Sequence, residues 1–271
     1  MAMELRYEVL SRVNIAMDFA GLASSVMENV ARQVPLSVEV KPDSSLVTNV
    51  DKEIDRIFRE RLNLSVYKND PVVSEEGGQK HDASAQAHWI LDSIDGTSNF
   101  VNGIPQFGIT LGLQYKGEMV HGINIIPAGS KLLVMAALNG MGLQINGKTF
   151  SPPRPVKNIG GMDFQRSLSD PALKLMPQLV GYAGEMRVIG SVAYGLSQVA
   201  LGRLGFYVHS GPKVWDLAGS LAILKEAGRV TNLETLDLAA YAGNDYSMGW
   251  FVAAQDEKVL SEVLAIVQPQ G

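Results

Sequence analysis

Two aspartates follow directly after a short apolar run, and they are the first candidates for chemistry in this chain. Residues 89–91 have bulky and branched side chains that predict a buried strand, and Asp92-Ser93-Ile94-Asp95-Gly96-Thr97 comes next. Carboxylates this close repel one another and resist desolvation, so the usual compensation is a bound cation or a shifted pKa. A Ser/Asp/Gly turn that closes the strand is the simpler interpretation, and this stretch alone does not decide between the two.

The same stretch offers a set of oxygen ligands for a divalent cation. Asp92 could bridge two cations while Asp95 binds only the second, and the turn leaves the carbonyl of Ile94 as a neutral ligand. Mg²⁺ prefers carboxylates, water and substrate phosphate to a complete protein cage. Gly96 and Thr97 would offer backbone N–H groups at a helix start, where phosphate oxygens are commonly held. The stretch therefore indicates phosphoryl chemistry.

Four further acidic residues, in three segments, stand next to predicted elements. Asp216 starts a predicted helix and is followed by small residues that permit close packing. Glu75-Glu76 follows a short predicted strand, and Asp51 comes three residues after Thr48, as in a capping box. Helix capping is the simpler interpretation for Asp216 and Asp51, and solvation for the adjacent glutamates.

Composition limits the class of protein. The 271 residues suffice for one large or two small domains, and 46% hydrophobic with 19% charged residues is typical of soluble proteins. No apolar run is long enough to span a membrane, and no signal peptide begins the chain, so we expect a cytoplasmic protein without membrane contact. A net charge of -5 without a basic stripe argues against nucleic acid as the primary ligand. The absence of cysteine excludes disulfides and thiolate metal sites.

Hydrophobic periodicity predicts the elements that must position these acids. Apolar residues spaced three or four apart predict a long helix from about Tyr7 to Val34, ended by Pro35. A brief alternation over residues 37–41 precedes a second helix that begins near Asp51. Turn signals then separate alternating runs between residues 109 and 145, which predicts antiparallel hairpins.

The second half of the chain alternates between the two types of element. Helices are predicted at about 171–182, 191–201, 216–227 and 257–267, with strands at 186–189, 205–209 and 250–254. The proline-rich segment 151–155 could connect two subdomains. We therefore expect a single domain over residues 1–271, of α/β (α+β) class, with subdomains of approximately 1–150 and 151–271 and helices covering sheets.

The chain resembles the inositol monophosphatase family of Mg²⁺-dependent, lithium-sensitive phosphatases over nearly its whole length. Four family motifs occur in the family's order: Val47-Thr48-Asn49-Val50-Asp51, Glu75-Glu76, Asp92-Ser93-Ile94-Asp95-Gly96-Thr97 and Trp215-Asp216-Leu217-Ala218-Gly219. The resemblance implies a layered α-β-α-β-α sandwich that works as a homodimer, and hydrolysis of a small phosphate monoester.

The resemblance also implies roles for particular residues. Two Mg²⁺ ions are expected, with a third, weaker ion allowed. The first ion would be held by Glu75, Asp92 and the Ile94 carbonyl, and the second by Asp92, Asp95 and Asp216. Thr97, paired with Asp51, would orient the water that the first ion and Glu75 activate. Substrate is expected to contact Gly96, Thr97, Asp95, Gly190, Ser191, His209 and Asp216.

Three positions depart from the family pattern or match it loosely. Ser93 replaces the proline of the aspartate motif, which removes a φ constraint but no ligand. His209 stands where inositol-specific members carry a glutamate that binds inositol hydroxyls. This histidine could receive a different alcohol or a second anionic group, or it could be a partly exposed residue at a strand end. Lys41 is interpreted as a solvated lysine at a strand end rather than as the family lysine near the metals.

Several functions stay open at this stage. The expected substrate is an inositol monophosphate-like compound, a polyol phosphate or a sugar phosphate. Fructose 1,6-bisphosphate, adenosine 3',5'-bisphosphate and histidinol phosphate are the alternatives. A haloacid-dehalogenase-like phosphatase has a similar aspartate motif, but its acids lie two residues apart and near the N-terminus. Here Asp92 and Asp95 lie three residues apart and well into the chain. A non-catalytic, partner-binding member of the family is the third alternative.

Overall fold

A computed structural model describes residues 3–30, 36–42, 45–77, 81–153, 159–164, 170–233, 235–242 and 248–268. Within these residues the chain forms a seven-stranded sheet, a five-stranded sheet and a two-stranded ribbon. The ribbon pairs β1 (Val38–Val40) with β2 (Leu46–Thr48) in antiparallel orientation. None of the helices in these ranges has the length and apolar character needed to cross a lipid bilayer.

The larger sheet comes from the first half of the chain. Its strands are β3 (Val72–Ser74), β4 (Ala87–Asp95), β5 (Gly108–Tyr115), β6 (Glu118–Ala128), β7 (Lys131–Leu138), β8 (Leu143–Ile145) and β9 (Lys148–Phe150), and they lie side by side in chain order. The β3 and β4 strands are parallel, whereas the other neighbours are antiparallel. The hairpins predicted from the turn signals are therefore confirmed.

The smaller sheet comes from the second half. It consists of β10 (Ile159–Asp163), β11 (Glu185–Val188), β12 (Phe206–His209), β13 (Val230–Thr231) and β14 (Phe251–Ala254), in the order β11-β10-β12-β14-β13. The β10 strand is parallel to both of its neighbours. The β10 strand is absent from the sequence-based prediction, because Gly160 and Gly161 weaken the β-propensity of this segment. A side chain at Gly160 would collide with Phe206 and Met186 on the neighbouring strands.

Helices cover both sheets and separate them. They are α1 (Met3–Val30), α2 (Asn49–Asn63), α3 (Thr97–Val101), α4 (Pro171–Ala183), α5 (Val192–Ala200), α6 (Val214–Glu226), α7 (Leu238–Ala242) and α8 (Glu257–Val267). The α1 and α2 helices contact the larger sheet, and α4 and α8 contact the smaller sheet. Between the sheets, α5 and α6 contact each other and the larger sheet, and α5 also contacts the smaller sheet. Three apolar cores fill the spaces between these layers. The predicted α-β-α-β-α sandwich is confirmed.

The middle helix α6 lies unusually close to the larger sheet. A side chain on Gly219 would come within 2.6 Å of the Ile123 carbonyl oxygen, and one on Gly122 would collide with the backbone of Gly219. The small residues after Asp216 thus permit the close packing expected from the sequence. This packing brings the start of α6 to the end of β4.

Some element boundaries differ from the predictions. The first helix is described from Met3 to Val30, so residues 31–34 of the prediction and Pro35 lie outside the described residues. Residues 154 and 155 of the proline-rich segment lie outside them as well. The α6 helix begins at Val214 rather than at Asp216, because Asp216 caps the helix from its third position.

Candidate active site

Three carboxylates from two distant parts of the chain meet between the sheets. Oxygens of Asp92 and Asp95, at the end of β4, and of Asp216, at the start of α6, all lie within 4.8 Å of one another. They line a cavity of about 800 Å³ that is also lined by Glu75, which follows β3. The parallel pairing of β3 with β4 brings Glu75 to the same end of the larger sheet.

Hydrogen bonds hold two of these carboxylates by one oxygen each. The backbone N–H of Ile94 donates to Oδ1 of Asp92 over 3.1 Å. The backbone N–H of Lys213 donates to Oδ2 of Asp216 over 2.8 Å, which closes the first turn of α6. Because the described hydrogen bonds fall on one oxygen, the second oxygen of each group is left for a cation.

Asp95 is held in the same way by the start of α5. The backbone N–H of Ala193 donates to its Oδ2 over 2.6 Å, and the Ser191 hydroxyl donates to the same oxygen. Ser191 also accepts a hydrogen bond from the Tyr194 N–H and so caps α5. Ser191, which is predicted to contact the substrate, therefore also orients Asp95, a predicted metal ligand.

The electrostatics of the cluster call for a positive charge. Burial, followed by repulsion from neighbouring carboxylates, raises the pKa of Asp92 and Asp216 well above the usual range. Burial likewise raises the pKa of Asp95 to about 7. Ionising all three groups is unfavourable without a cation, and an all-oxygen donor set suits Mg²⁺. The residues present thus fit the divalent cation that the family implies.

Lys41 lies in the cavity, contrary to the prediction that it is solvated. Its ammonium group lies 2.8 Å from Glu75 and 2.5 Å from Glu76, and its side chain is 21% exposed. Burial disfavours the charged form and so acts to lower the pKa of Lys41. The hydrogen bonds to both glutamates outweigh this effect, and the pKa is raised overall. The two-stranded ribbon brings the lysine to the glutamates across a separation of 34 residues, which local sequence patterns do not reveal.

Asp51 and Thr97 lie next to each other. The capping box is confirmed, since the Asp51 N–H donates to the Thr48 hydroxyl oxygen and the Thr48 N–H donates to Oδ2 of Asp51. The Thr97 hydroxyl is 3.5 Å from Oδ1 of Asp51 and 3.0 Å from the Ile94 carbonyl oxygen. Burial raises the pKa of Asp51 to about 6. Asp51 is therefore both a helix cap and a neighbour of the predicted water-orienting hydroxyl.

Two glycines allow the loops of the site to approach one another. Gly96 has a φ of 85°, and a side chain there would meet the Ser191 Cβ at 2.8 Å and the Gly190 carbonyl oxygen at 2.9 Å. Gly190 has a φ of 79°, and a side chain there would meet the Asn99 amide at 2.8 Å. The two loops therefore touch only because both positions are glycine.

Asp163 is a site residue that the sequence analysis missed. It ends β10, lines the cavity and accepts hydrogen bonds from the backbone N–H groups of Ile189, Gly190 and Ser191. The Tyr207 hydroxyl donates to it over 2.7 Å. Like Asp95, Asp163 is an acid at the end of a short apolar run, and this pattern could have identified it. The two glycines of β10 made the run difficult to recognise as a strand.

His209 also lines the cavity. It ends β12, pairs in register with Asp163 on β10, and is 8% exposed. The alternative of a partly exposed strand-end residue is therefore wrong. The backbone N–H of Gly211 donates to Nδ1 of His209 over 3.0 Å. Burial lowers the pKa of His209 to about 4, so the ring is neutral at physiological pH.

Together these features define a layered α/β protein with a buried cluster of carboxylates at the meeting point of two sheets. The sequence profile of the inositol monophosphatase family matches residues 9–269. The chain therefore belongs to the inositol monophosphatase family, as the motifs predicted. Membership in this family supports phosphatase activity.

Three relatives illustrate the similarity. The Nus factor SuhB of Pasteurella multocida is 28% identical over 95% of this chain and 96% of its own. The inositol-1-monophosphatase SuhB of Mycobacterium tuberculosis is 32% identical over 82% of this chain and 78% of its own. A solved IMPase/NADP phosphatase in complex with Mg²⁺ and phosphate matches with a TM-score of 0.79 and 21% identity, covering 97% of each chain. This last likeness concerns the fold.

Proposed function

We propose that this protein is a Mg²⁺-dependent phosphomonoesterase that hydrolyses a small phosphorylated alcohol. The observation that carries the proposal is the group of Asp92, Asp95 and Asp216, whose oxygens lie within 4.8 Å of one another in a cavity. A structural neighbour solved with Mg²⁺ and phosphate supports the choice of ions. The cavity of about 800 Å³ is large enough for a small phosphate ester.

The carboxylates would hold two Mg²⁺ ions, with a third, weaker ion allowed. Glu75, Asp92 and the Ile94 carbonyl would bind the first, and Asp92, Asp95 and Asp216 the second. When bound, such ions lower the pKa of water and neutralise charge on the entering and leaving oxygens of the phosphate. The hydrogen bonds on one oxygen of Asp92, Asp95 and Asp216 would keep the other oxygen in place for the ions.

The remaining residues of the site would orient the water and the substrate. The Thr97 hydroxyl, between Asp51 and the Ile94 carbonyl, would hold the attacking water, and Glu75 would accept its proton. The backbone N–H groups of Gly96 and Thr97 would bind the phosphate oxygens. Gly190, Ser191 and His209 would line the alcohol, next to Asp95 and Asp216.

A phosphate-release assay with Mg²⁺ tests the proposal. The panel comprises inositol phosphates, sugar phosphates, fructose 1,6-bisphosphate, adenosine 3',5'-bisphosphate and histidinol phosphate. We expect turnover of at least one compound, and loss of at least about 1000-fold in Asp92→Asn because both ions would share this ligand. Asp18→Asn, which changes an exposed acid on α1, is the matched control and should keep full activity. Near-normal turnover in Asp92→Asn would overturn the two-metal assignment.

A partner-binding role is the second candidate, because several relatives are named as Nus factors. Asp92→Asn separates the two roles, provided that circular dichroism shows the fold to be intact. If the variant restores the wild-type phenotype of a deletion strain, the partner-binding role is sufficient. If it does not, the phosphatase activity is required.

The homodimer also remains a prediction. Light scattering after size-exclusion chromatography would measure its mass, for which one chain contributes 29.2 kDa.

A further inference from the structure

The alcohol side of the cavity presents hydrogen-bond donors and apolar surface instead of carboxylate acceptors. We infer that the alcohol part of the substrate carries a hydrogen-bond acceptor on a ring with an apolar face, and is not a polyol. This inference rests on the proposed phosphatase function and names the substrate class of the same site. It is carried by the hydrogen bonds of His209 and Asp163 and by the side chains beside them.

The hydrogen bond from Gly211 determines what His209 can offer. Because a backbone N–H can only donate, Nδ1 of the ring must accept and therefore carries no proton. In the neutral ring the proton is then on Nε2, and no described residue accepts a hydrogen bond from that atom. The nearby Asp170 accepts hydrogen bonds from the Ala172 N–H and the Ser210 hydroxyl. His209 thus presents an N–H donor, which needs an acceptor on the substrate.

Asp163 cannot supply the acceptor that a polyol would need. Its Oδ1 accepts from the N–H groups of Ile189 and Gly190, and its Oδ2 accepts from the Ser191 N–H and the Tyr207 hydroxyl. Two bonds on each oxygen use the four lone pairs of a carboxylate. Among the described residues lining the cavity, Asp163 is the only carboxylate outside the predicted metal-binding set. The hydroxyl groups of a polyol would therefore lack a carboxylate partner on this side.

Apolar side chains complete this side of the cavity. Phe164 follows Asp163 directly, and Val188 lies at the end of β11 with 52% of its surface exposed. Trp215 lines the cavity next to Asp216. A ring would bury these apolar surfaces, whereas a polyol would place hydroxyl groups against them. The donor on His209 and the apolar walls thus favour the same class of alcohol.

Matched phosphate esters test the acceptor directly. Benzyl phosphate and the 2-, 3- and 4-pyridylmethyl phosphates differ only in replacing one ring C–H by a nitrogen acceptor, and inositol 1-phosphate represents polyols. We expect one pyridylmethyl isomer to exceed benzyl phosphate by about tenfold in kcat/KM, the effect of one neutral hydrogen bond. We expect both to exceed inositol 1-phosphate.

Variants of His209 assign the preference to this side chain. In His209→Phe the ratio of pyridylmethyl to benzyl phosphate should fall to about one, and His209→Glu should raise the relative rate with inositol 1-phosphate. Calorimetric titration with Mg²⁺ checks that each variant keeps a folded site. If a variant does not fold, the kcat/KM ratios of the wild-type protein still test the inference. Inositol 1-phosphate as the best substrate would overturn this inference and leave the phosphatase function standing. Wild-type protein that binds Mg²⁺ but hydrolyses none of these esters or the earlier panel would overturn both.

Discussion

Asp163 connects the two sheets at the site through a short loop. Its carboxylate accepts three consecutive backbone N–H groups, from Ile189 to Ser191, and the hydroxyl of Ser191 in turn donates to Asp95. Burial raises the pKa of Asp163, while these hydrogen bonds oppose that shift. A residue of the smaller sheet therefore positions a proposed metal ligand of the larger sheet, as outer hydrogen bonds do in many metal sites.

Asp163→Asn should weaken Mg²⁺ binding. The amide replaces one acceptor oxygen by a donor, so at least one backbone N–H between Ile189 and Ser191 loses its partner. The loosened loop should hold Asp95 less firmly, and we expect Mg²⁺ affinity to fall by about tenfold, or about 1.4 kcal/mol. Isothermal titration calorimetry without substrate measures this.

Tyr207→Phe is the matched control for that variant. It removes only the fourth donor to Asp163 and leaves the three backbone N–H groups in place, so its effect on Mg²⁺ affinity should be smaller. Equal Mg²⁺ affinity in wild type and Asp163→Asn would show that the loop does not position Asp95.

At the scale of elements, the contact between α6 and the larger sheet determines where Asp216 lies. Glycines face each other at this contact, at Gly122 on β6 and Gly219 on α6, so the helix axis lies closer to the sheet than ordinary side chains permit. Because Asp216 is less than one turn from Gly219, any outward shift of the helix also moves this carboxylate.

Gly219→Ala should therefore destabilise the protein and disturb the site. The added methyl group would lie 2.6 Å from the Ile123 carbonyl oxygen and 2.8 Å from that of Leu111, and neither backbone atom can move without moving a central strand. We expect the free energy of unfolding to fall by about 2–3 kcal/mol. Urea titration followed by circular dichroism measures it.

Gly21→Ala provides the comparison on an exposed helix face. A side chain at Gly21 of α1 meets no atom within 4 Å, so alanine should stabilise by up to about 1 kcal/mol through its higher helix propensity. If Gly219→Ala were as stable as Gly21→Ala, the close packing of α6 would not be required.

At the scale of the whole molecule, a buried histidine far from the cavity couples the fold to pH. His121 on β6 is 2% exposed, and its Nδ1 donates to the Ala137 carbonyl oxygen over 2.6 Å. Its Nε2 has no hydrogen-bond partner in the described part of the chain. Burial lowers the pKa of His121 to about 4, whereas the unfolded chain binds the proton near pH 6.5.

The stabilising contribution of neutral His121 should accordingly be lost as the pH falls. The contribution of His121 is fully present above about pH 6.5 and is lost progressively towards pH 4, because only the unfolded state binds the proton in this range. The difference between the two pKa values corresponds to at most about 3 kcal/mol. Urea titrations at several pH values, compared between wild type and His121→Leu, isolate this contribution. Parallel stability curves for the two proteins would contradict it.

The sequence by itself determined those features in which neighbouring residues act together. The capping box of Thr48 and Asp51, the turn from Asp92 to Thr97 and the cap that Asp216 forms in the first turn of α6 each involve residues within a few positions of one another. Their geometry follows from short-range rules for turns and helix ends. Resemblance to a family then identified the class of fold and activity.

Only the tertiary structure decided which distant residues meet. Lys41 reaches Glu75 through a two-stranded ribbon, and Asp163 reaches Ser191 because β10 lies between β11 and β12. The Gly211 N–H binds Nδ1 of His209 and so leaves the ring proton on Nε2. Such contacts depend on strand order and register. These are set by the burial of whole sheets, and residues that are adjacent in the chain do not reveal them.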